Sequence, residues 1–386
     1  MGFRKFRADQ VFTGHQFAPK DSILITDEKG RVEDIIPETE AGEDIETVRG
    51  ILSPGFINCH CHLELSHMKG MVPPGTGMVN FLLAVMQQRH RNREQLLESI
   101  ENAENEMLEA GIVAAGDICN TADTVLQKQK GRLIYSNFIE CTGFVPASAG
   151  MRFSEASAVR DQLAETGETS FVPHAPYSVS PELFRLIDQS SEGRTTTMHN
   201  QESQAENDFF LTGESDFRKL YAALGLDIHF YQPPQKTSLQ AVWPYLQSAE
   251  KLILVHNVYT SQQDIDALKY HGANAKGQQT EIIFCLCPNA NLYINNNLPP
   301  VQLFLKNGYN PVLGTDSLSS NYQLSIIEEI KTLQQHFPEL QLQQLLQWAT
   351  SNGAAALGIS KQYGSFEKGK KPGVVQIQDW SARRIL

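Results

Sequence analysis

Short apolar runs alternate along most of this chain with longer stretches whose apolar residues recur every three or four positions. From Gly111 onward that alternation is regular, which is the signature of repeated strand and helix units and a parallel sheet. Eight runs read as strands: "GFINCHC" (55 to 61), "IVAAGDI" (112 to 118), "LIYSNFI" (133 to 139), "SFVPHA" (170 to 175), "TTTMH" (195 to 199), "KLILVH" (251 to 256), "EIIFCLC" (281 to 287) and "PVLGTD" (311 to 316). Between them, segments such as 81 to 111 and 323 to 337 carry the helical period. Eight strands each followed by a helix predict an α/β fold of the (β/α)8 TIM-barrel type, in which reactive side chains stand at the C-terminal strand ends.

Both chain ends read differently. "SILITDE" and "RVEDIIP" near the start, and "GSFEKGKKPGVVQIQDW" (364 to 380) near the finish, are short strand patterns with turn formers. The expected organisation is a small β-sandwich domain from residues 1–52 and 362–386, beside a catalytic barrel over 53–361.

Composition narrows the function. A formal charge of -12 sets the chain's average field against polyanions, which disfavours nucleic acid and anionic membrane surfaces. No window reaches the roughly 18 apolar residues of a membrane span, and "MGFRKFRADQ" lacks the apolar core of a signal peptide. Six scattered cysteines do not form a secreted disulfide framework, so a reducing cytoplasm is expected.

Strand position then sorts the eleven histidines. In "CHCH" a period of two sends His60 and His62 to one face, where they can share an ion. Cys59 and Cys61 then go to the other face, toward the packed helices, where Cys behaves as a small hydrophobe. His199, His256 and Asp316 close three further strands, and His174 ends a fourth. Imidazoles with one carboxylate suit Zn first, with Fe(II), Mn, Co or Ni able to bind the same set. Glu202, three residues after His199, puts a carboxyl group beside that set, where it can be tuned to carry a proton. His174 reads equally as a substrate contact or as a hydrogen-bonded structural residue. Histidines 15, 67, 90, 229, 271 and 336 receive no role. The "HLE" at His62 mimics half of the HxE…PCxxC signature of one zinc-enzyme fold, but no PCxxC accompanies it.

Taken together, "PGFINCHCHLELS", "HAPYSVSPELF", "HNQE", "LVHNVYT", "CPNANLYI" and "LGTDSLSSN" resemble the amidohydrolase superfamily, in its adenosine- and guanine-type deaminase and chlorohydrolase branch. The resemblance implies one divalent metal, zinc first with iron or manganese as alternatives, held by His60, His62, His199 and Asp316. It implies that His256 hydrogen-bonds the water on that metal, with Asp316 also catalytic. Glu202 would protonate and contact a ring nitrogen, and His174 would contact the substrate. Binuclear relatives bridge two metals with a lysine at the end of strand four; no lysine occurs between Lys130 and Lys219, which argues for one metal. Two departures stand out. "KKPGVV" replaces the usual C-terminal turn, and residues 87 to 90, "QQRH", lack the acid that binds ribose in methylthioadenosine and S-adenosylhomocysteine deaminases.

"HLELSHMKGMVPPGTGM" looks most like the branch that deaminates aminodeoxyfutalosine, an aminopurine nucleoside of menaquinone biosynthesis. Dehalogenating relatives often lack the acid matching Glu202, so ammonia loss is favoured over chloride loss. The alternatives are a guanine, adenosine or methylthioadenosine/S-adenosylhomocysteine deaminase, a triazine hydrolase, or a catalytically inactive barrel serving as a binding scaffold. The partner expected is a small molecule, with a homodimer as the assembly that relatives suggest.

Overall fold

The computed structural model describes residues 2–90, 92–269, 277 and 279–386. The eight expected strands are present as β1 (Phe56–Cys61), β2 (Ile112–Cys119), β3 (Ile134–Cys141), β4 (Glu168–Pro173), β5 (Thr195–Asn200), β6 (Lys251–His256), β7 (Glu281–Leu286) and β8 (Val312–Leu313). They form two four-stranded parallel sheets, β4-β3-β2-β1 and β5-β6-β7-β8. Strands covered on both faces read as continuous apolar runs, which explains why "KLILVH" and "EIIFCL" show no alternation.

Two seams join the sheets. Asp316 and Thr315 donate backbone N–H groups to His60 O at 3.1 and 3.0 Å, and His199 N–H donates to His174 O at 2.9 Å. A core cluster draws on seven of the eight strands through Ile57, Ala114, Phe138, Val172, Ile253, Cys285 and Val312. It is capped by Ala354, Ala356 and Leu357. A larger cluster fills the space between strands and surrounding helices.

The chain ends build two further four-stranded sheets. One contains Phe3–Arg7, Ser22–Asp27, Val32–Pro37 and Ile45–Thr47; the other joins Gln10–Val11 and Ile51–Pro54 to Val374–Gln378 and Ser381–Arg384. Phe6, Leu24 and Val32 of the first share a buried cluster with Val11, Leu52 and Val374 of the second. Strand Ile51–Pro54, paired with Val374–Gln378, runs across the expected boundary at residue 52.

Three local features depart from the sequence reading. The helix expected over 81 to 111 is two helices, α1 (Met78–Gln88) and α2 (Arg93–Glu109). The Asn92 side chain accepts the Glu94 N–H at 2.8 Å and starts the second, a capping signal inside an otherwise unbroken apolar period. The strand expected over 311 to 316 is confined to Val312–Leu313. Gly314 follows it because a Cβ there would stand 2.8 Å from His60 Cβ and 3.0 Å from the sulfurs of Cys285 and Cys287. Finally, the register of β1 against β2 slips between Asn58 and Cys61. This bulge inserts one residue and overturns the simple alternation. Cys61 lies with the helix-side cluster as expected, but Cys59 joins Ile57 and Cys285 in the inner core. Both remain buried free thiols, as do the other four cysteines.

Candidate active site

The C-terminal ends of β1, β5 and β6 and the turn after β8 converge on one buried group. His62 Nε2 lies 3.2 Å from His60 Nε2, 3.2 Å from His199 Nε2 and 3.2 Å from Asp316 Oδ1. His60 Nε2 lies 3.5 Å from Asp316 Oδ1. Ligand atoms of His60, His199, His256 and Asp316 also fall within 4.8 Å of one another. Three imidazole nitrogens and a carboxylate oxygen at such spacings crowd lone pairs together unless a cation sits among them. Four donors arranged tetrahedrally at Zn–N and Zn–O distances would stand about 3.3 Å apart, so the donor set fits such an ion.

Two of the ligand candidates, His199 and Asp316, are held by a second contact. His199 Nδ1–H donates to His174 O at 2.7 Å, which fixes the tautomer and leaves Nε2 free toward the cluster. Ser320 Oγ donates to Asp316 Oδ2 at 2.5 Å, leaving Oδ1 to face the histidines. Burial, reinforced by the neighbouring rings, keeps His199 well below the usual histidine range and therefore neutral. Burial would raise Asp316, but hydrogen bonds from His60 and His62 overcome it and hold the carboxyl well below its ordinary value.

His256 stands beside this group at the end of β6, with φ of 73°; Asp316 has φ of 57°. Positive φ is costly for such residues, and here it marks the points where the chain turns to aim a side chain inward. Asn291, on α3 (Pro288–Asn295), holds the His256 ring through Nδ1 at 3.0 Å. Nε2 then faces Glu202 Oε2 at 3.5 Å. Burial pushes His256 down to about 3, so the ring is neutral. Glu202 is 5% exposed and its Oε1 has no hydrogen-bond partner. Burial, with the Asp316 and Glu206 carboxylates adding repulsion, lifts it well above the usual carboxylate range.

Below Glu202, Glu206 accepts N–H bonds from Gln201 at 2.9 Å and Glu202 at 3.3 Å, and the Ser238 hydroxyl at 2.5 Å. Burial nonetheless raises it to about 7. A carboxyl whose folded pKa lies above its unfolded value of about 4.3 favours the native state at low pH, and that contribution is lost as pH rises through 7. The stability of the wild type relative to Glu206→Gln should therefore fall by about 3 kcal/mol between pH 4.5 and 7.5. Denaturant unfolding at stepped pH values checks this; a flat difference would contradict it.

These groups open into a cavity of about 680 Å³ lined by His62, His174, Tyr177, His199, Glu202, His256 and Asp316, with Leu82, Val85, Phe144 and Leu224 among its apolar walls. His174 thus borders the pocket, its Nδ1 held by Ser178 Oγ at 2.7 Å. Phe209 and Phe210, on the helix Gln204–Thr212, pack in the core. Of the unassigned histidines, 15, 67, 90, 229 and 336 lie away from the cluster, and His271 falls outside the described residues. Sequence reasoning missed Asn291, Ser320 and Glu140. The first two lie within motifs quoted above. Glu140 borders the pocket near the end of β3, one residue beyond the apolar run "LIYSNFI".

The amidohydrolase family profile matches residues 51–381. The chain belongs to the amidohydrolase family. This amidohydrolase is 25% identical over 330 residues to an adenosine deaminase of Helicobacter pylori, covering 83% of this chain and 77% of that one. It is 26% identical over 326 residues to an aminodeoxyfutalosine deaminase of Nitratiruptor sp., covering 80% and 75%. Among solved structures it resembles Helicobacter pylori aminofutalosine deaminase in complex with methylthio-coformycin, with a TM-score of 0.77, 20% identity and coverage of 97% and 93%. An adenosine deaminase of Xanthomonas campestris with bound zinc gives a TM-score of 0.69 at 22% identity, covering 96% and 83%. These structural likenesses establish the α/β fold of this amidohydrolase. No helix among its described residues is long and apolar enough to cross a membrane.

Proposed function

We propose that this amidohydrolase is a metal-dependent deaminase that releases ammonia from an aminopurine nucleoside, with aminodeoxyfutalosine the first substrate to try. The observation that carries the reading is the buried, proton-holding Glu202 beside His256 and the His/Asp cluster, facing a largely apolar cavity. The two seams and shared inner core support a closed (β/α)8 barrel over 53–361, and the common cluster of the end sheets supports a small β-sandwich from 1–52 and 362–386.

His60, His62, His199 and Asp316 would hold one divalent cation, zinc first, which when bound supplies Lewis acidity that ionises water near neutral pH. The protein's own groups move the protons. Glu202 delivers its proton to the ring nitrogen next to the amine-bearing carbon, withdrawing electrons so that the carbon accepts water. Asp316 takes the proton of the attacking water, and the His256 Nε2 orients that water against the ring face. Asp316 returns its proton to the exocyclic nitrogen, the carbon–nitrogen bond breaks to release neutral ammonia, and the hydroxyl proton given up as the carbonyl forms re-protonates Glu202.

The test is ammonia release from aminodeoxyfutalosine, other adenine nucleosides, free guanine and chlorotriazines, with metal content measured on the same sample. Turnover confined to aminopurine nucleosides, with one tightly held metal per chain, is expected. Activity only on free bases or triazines would refute it, and protein without metal or turnover would favour a scaffold.

A further inference from the structure

Residues 87 to 90 provide no acid for a sugar, yet a different acid reaches the same cavity. Glu140 is the penultimate residue of β3, is 8% exposed and lines the pocket. Asn120 Nδ2 donates to its Oε2 at 2.8 Å and fixes the carboxylate plane. Oε1 accepts no hydrogen bond. His199 Nδ1 lies 3.6 Å from Oε1 but gives its proton to His174 O at 2.7 Å. A buried carboxylate oxygen without a donor is costly, so a site that keeps one calls for a donor from elsewhere.

His174 adds a second acceptor. Ser178 Oγ donates to Ala175 O at 3.1 Å, so it accepts from His174 Nδ1 at 2.7 Å, leaving Nε2 with a lone pair. Glu140, His174 and His199 bring their polar atoms within 4.8 Å of one another. Two acceptors from residues that line one cavity, next to a cluster that would engage the reacting base, match a ligand carrying two adjacent O–H donors. We propose that Glu140 reads the vicinal diol of the substrate's ribose, taking from the end of β3 the role that no acid serves on the segment after α1. The proposal rests on the deaminase reading above.

Glu140→Gln retains the shape and the Asn120 contact but turns an N–H toward the diol. Ammonia release should be compared for aminodeoxyfutalosine, adenosine and its 2′-deoxy, 3′-deoxy and 2′,3′-dideoxy forms. Wild type should prefer a diol substrate over the dideoxy form. Glu140→Gln should lose about 10- to 100-fold in kcat/KM on the diol substrate, mostly in KM, and little on the dideoxy form. Metal content should stay at one per chain in both. A uniform loss on every nucleoside would overturn the assignment while leaving the deaminase intact. So would two metals in wild type falling to one in the variant, which would make Glu140 a ligand. Wild type that releases ammonia from none of these nucleosides would overturn both readings.

Discussion

Glu202→Gln should keep its metal and lose turnover by about 10³-fold or more, because general acid catalysis contributes roughly 10²- to 10⁴-fold and glutamine has no proton to give. The substitution is nearly isosteric. The backbone bonds from Glu202 N–H to Glu206 and from Asn295 to Glu202 O do not depend on the side chain, so the loop should hold. Loss of kcat with an unchanged metal-to-protein ratio is the expected signature. Glu202→Asp distinguishes a proton donor from a space-filler: it retains the proton but withdraws it by one methylene, so partial activity is expected. If Glu202→Gln turned over within a few-fold of wild type, the proton would have to come from elsewhere and the assignment of Glu202 as the acid would fall.

The His/Asp cluster was legible because its members obey a rule readable in sequence: each stands at or just beyond the C-terminal end of an apolar run. His60 and His62 illustrate both the strength and the limit of that rule. Their shared orientation survives, but the bulge before Cys61 moves Cys59 inward, and nothing in "NCHCH" announces an inserted residue. The same limit hid Glu140. Its strand continues through Glu140 and Cys141, where an acidic residue interrupts the apolar pattern used to find the end. Positive φ at His256 and Asp316 is likewise a property of the assembled turn rather than of residue type. The division into α1 and α2 was signalled by Asn92, but the apolar period on either side outweighed a single capping residue.

Lys128→Met should destabilise the fold by about 3–5 kcal/mol, a large share of the roughly 5–15 kcal/mol typical of a folded protein. The Lys128 ammonium and the Asp117 carboxylate are both fully buried and 2.5 Å apart. Burial alone would strip the proton from Lys128; Asp117, with the Cys119 thiol, reverses this and holds the ammonium above its ordinary value. Lys128 also donates to Asn137 Oδ1 at 2.7 Å. Asp117 Oδ1 accepts the Leu63 N–H at 2.8 Å, one residue past His62. Removing the lysine leaves a buried carboxylate without its ammonium partner beside the backbone that carries His62. The double variant Lys128→Met/Asp117→Asn should recover most of the loss, since asparagine is neutral and keeps an acceptor for Leu63. Urea unfolding of the wild type, both single variants and the double variant supplies the cycle. Additive losses would mean that the two charges do not interact. A strong coupling would make the pair the strut that fixes the Leu63 backbone, and with it the His62 ring, against β2.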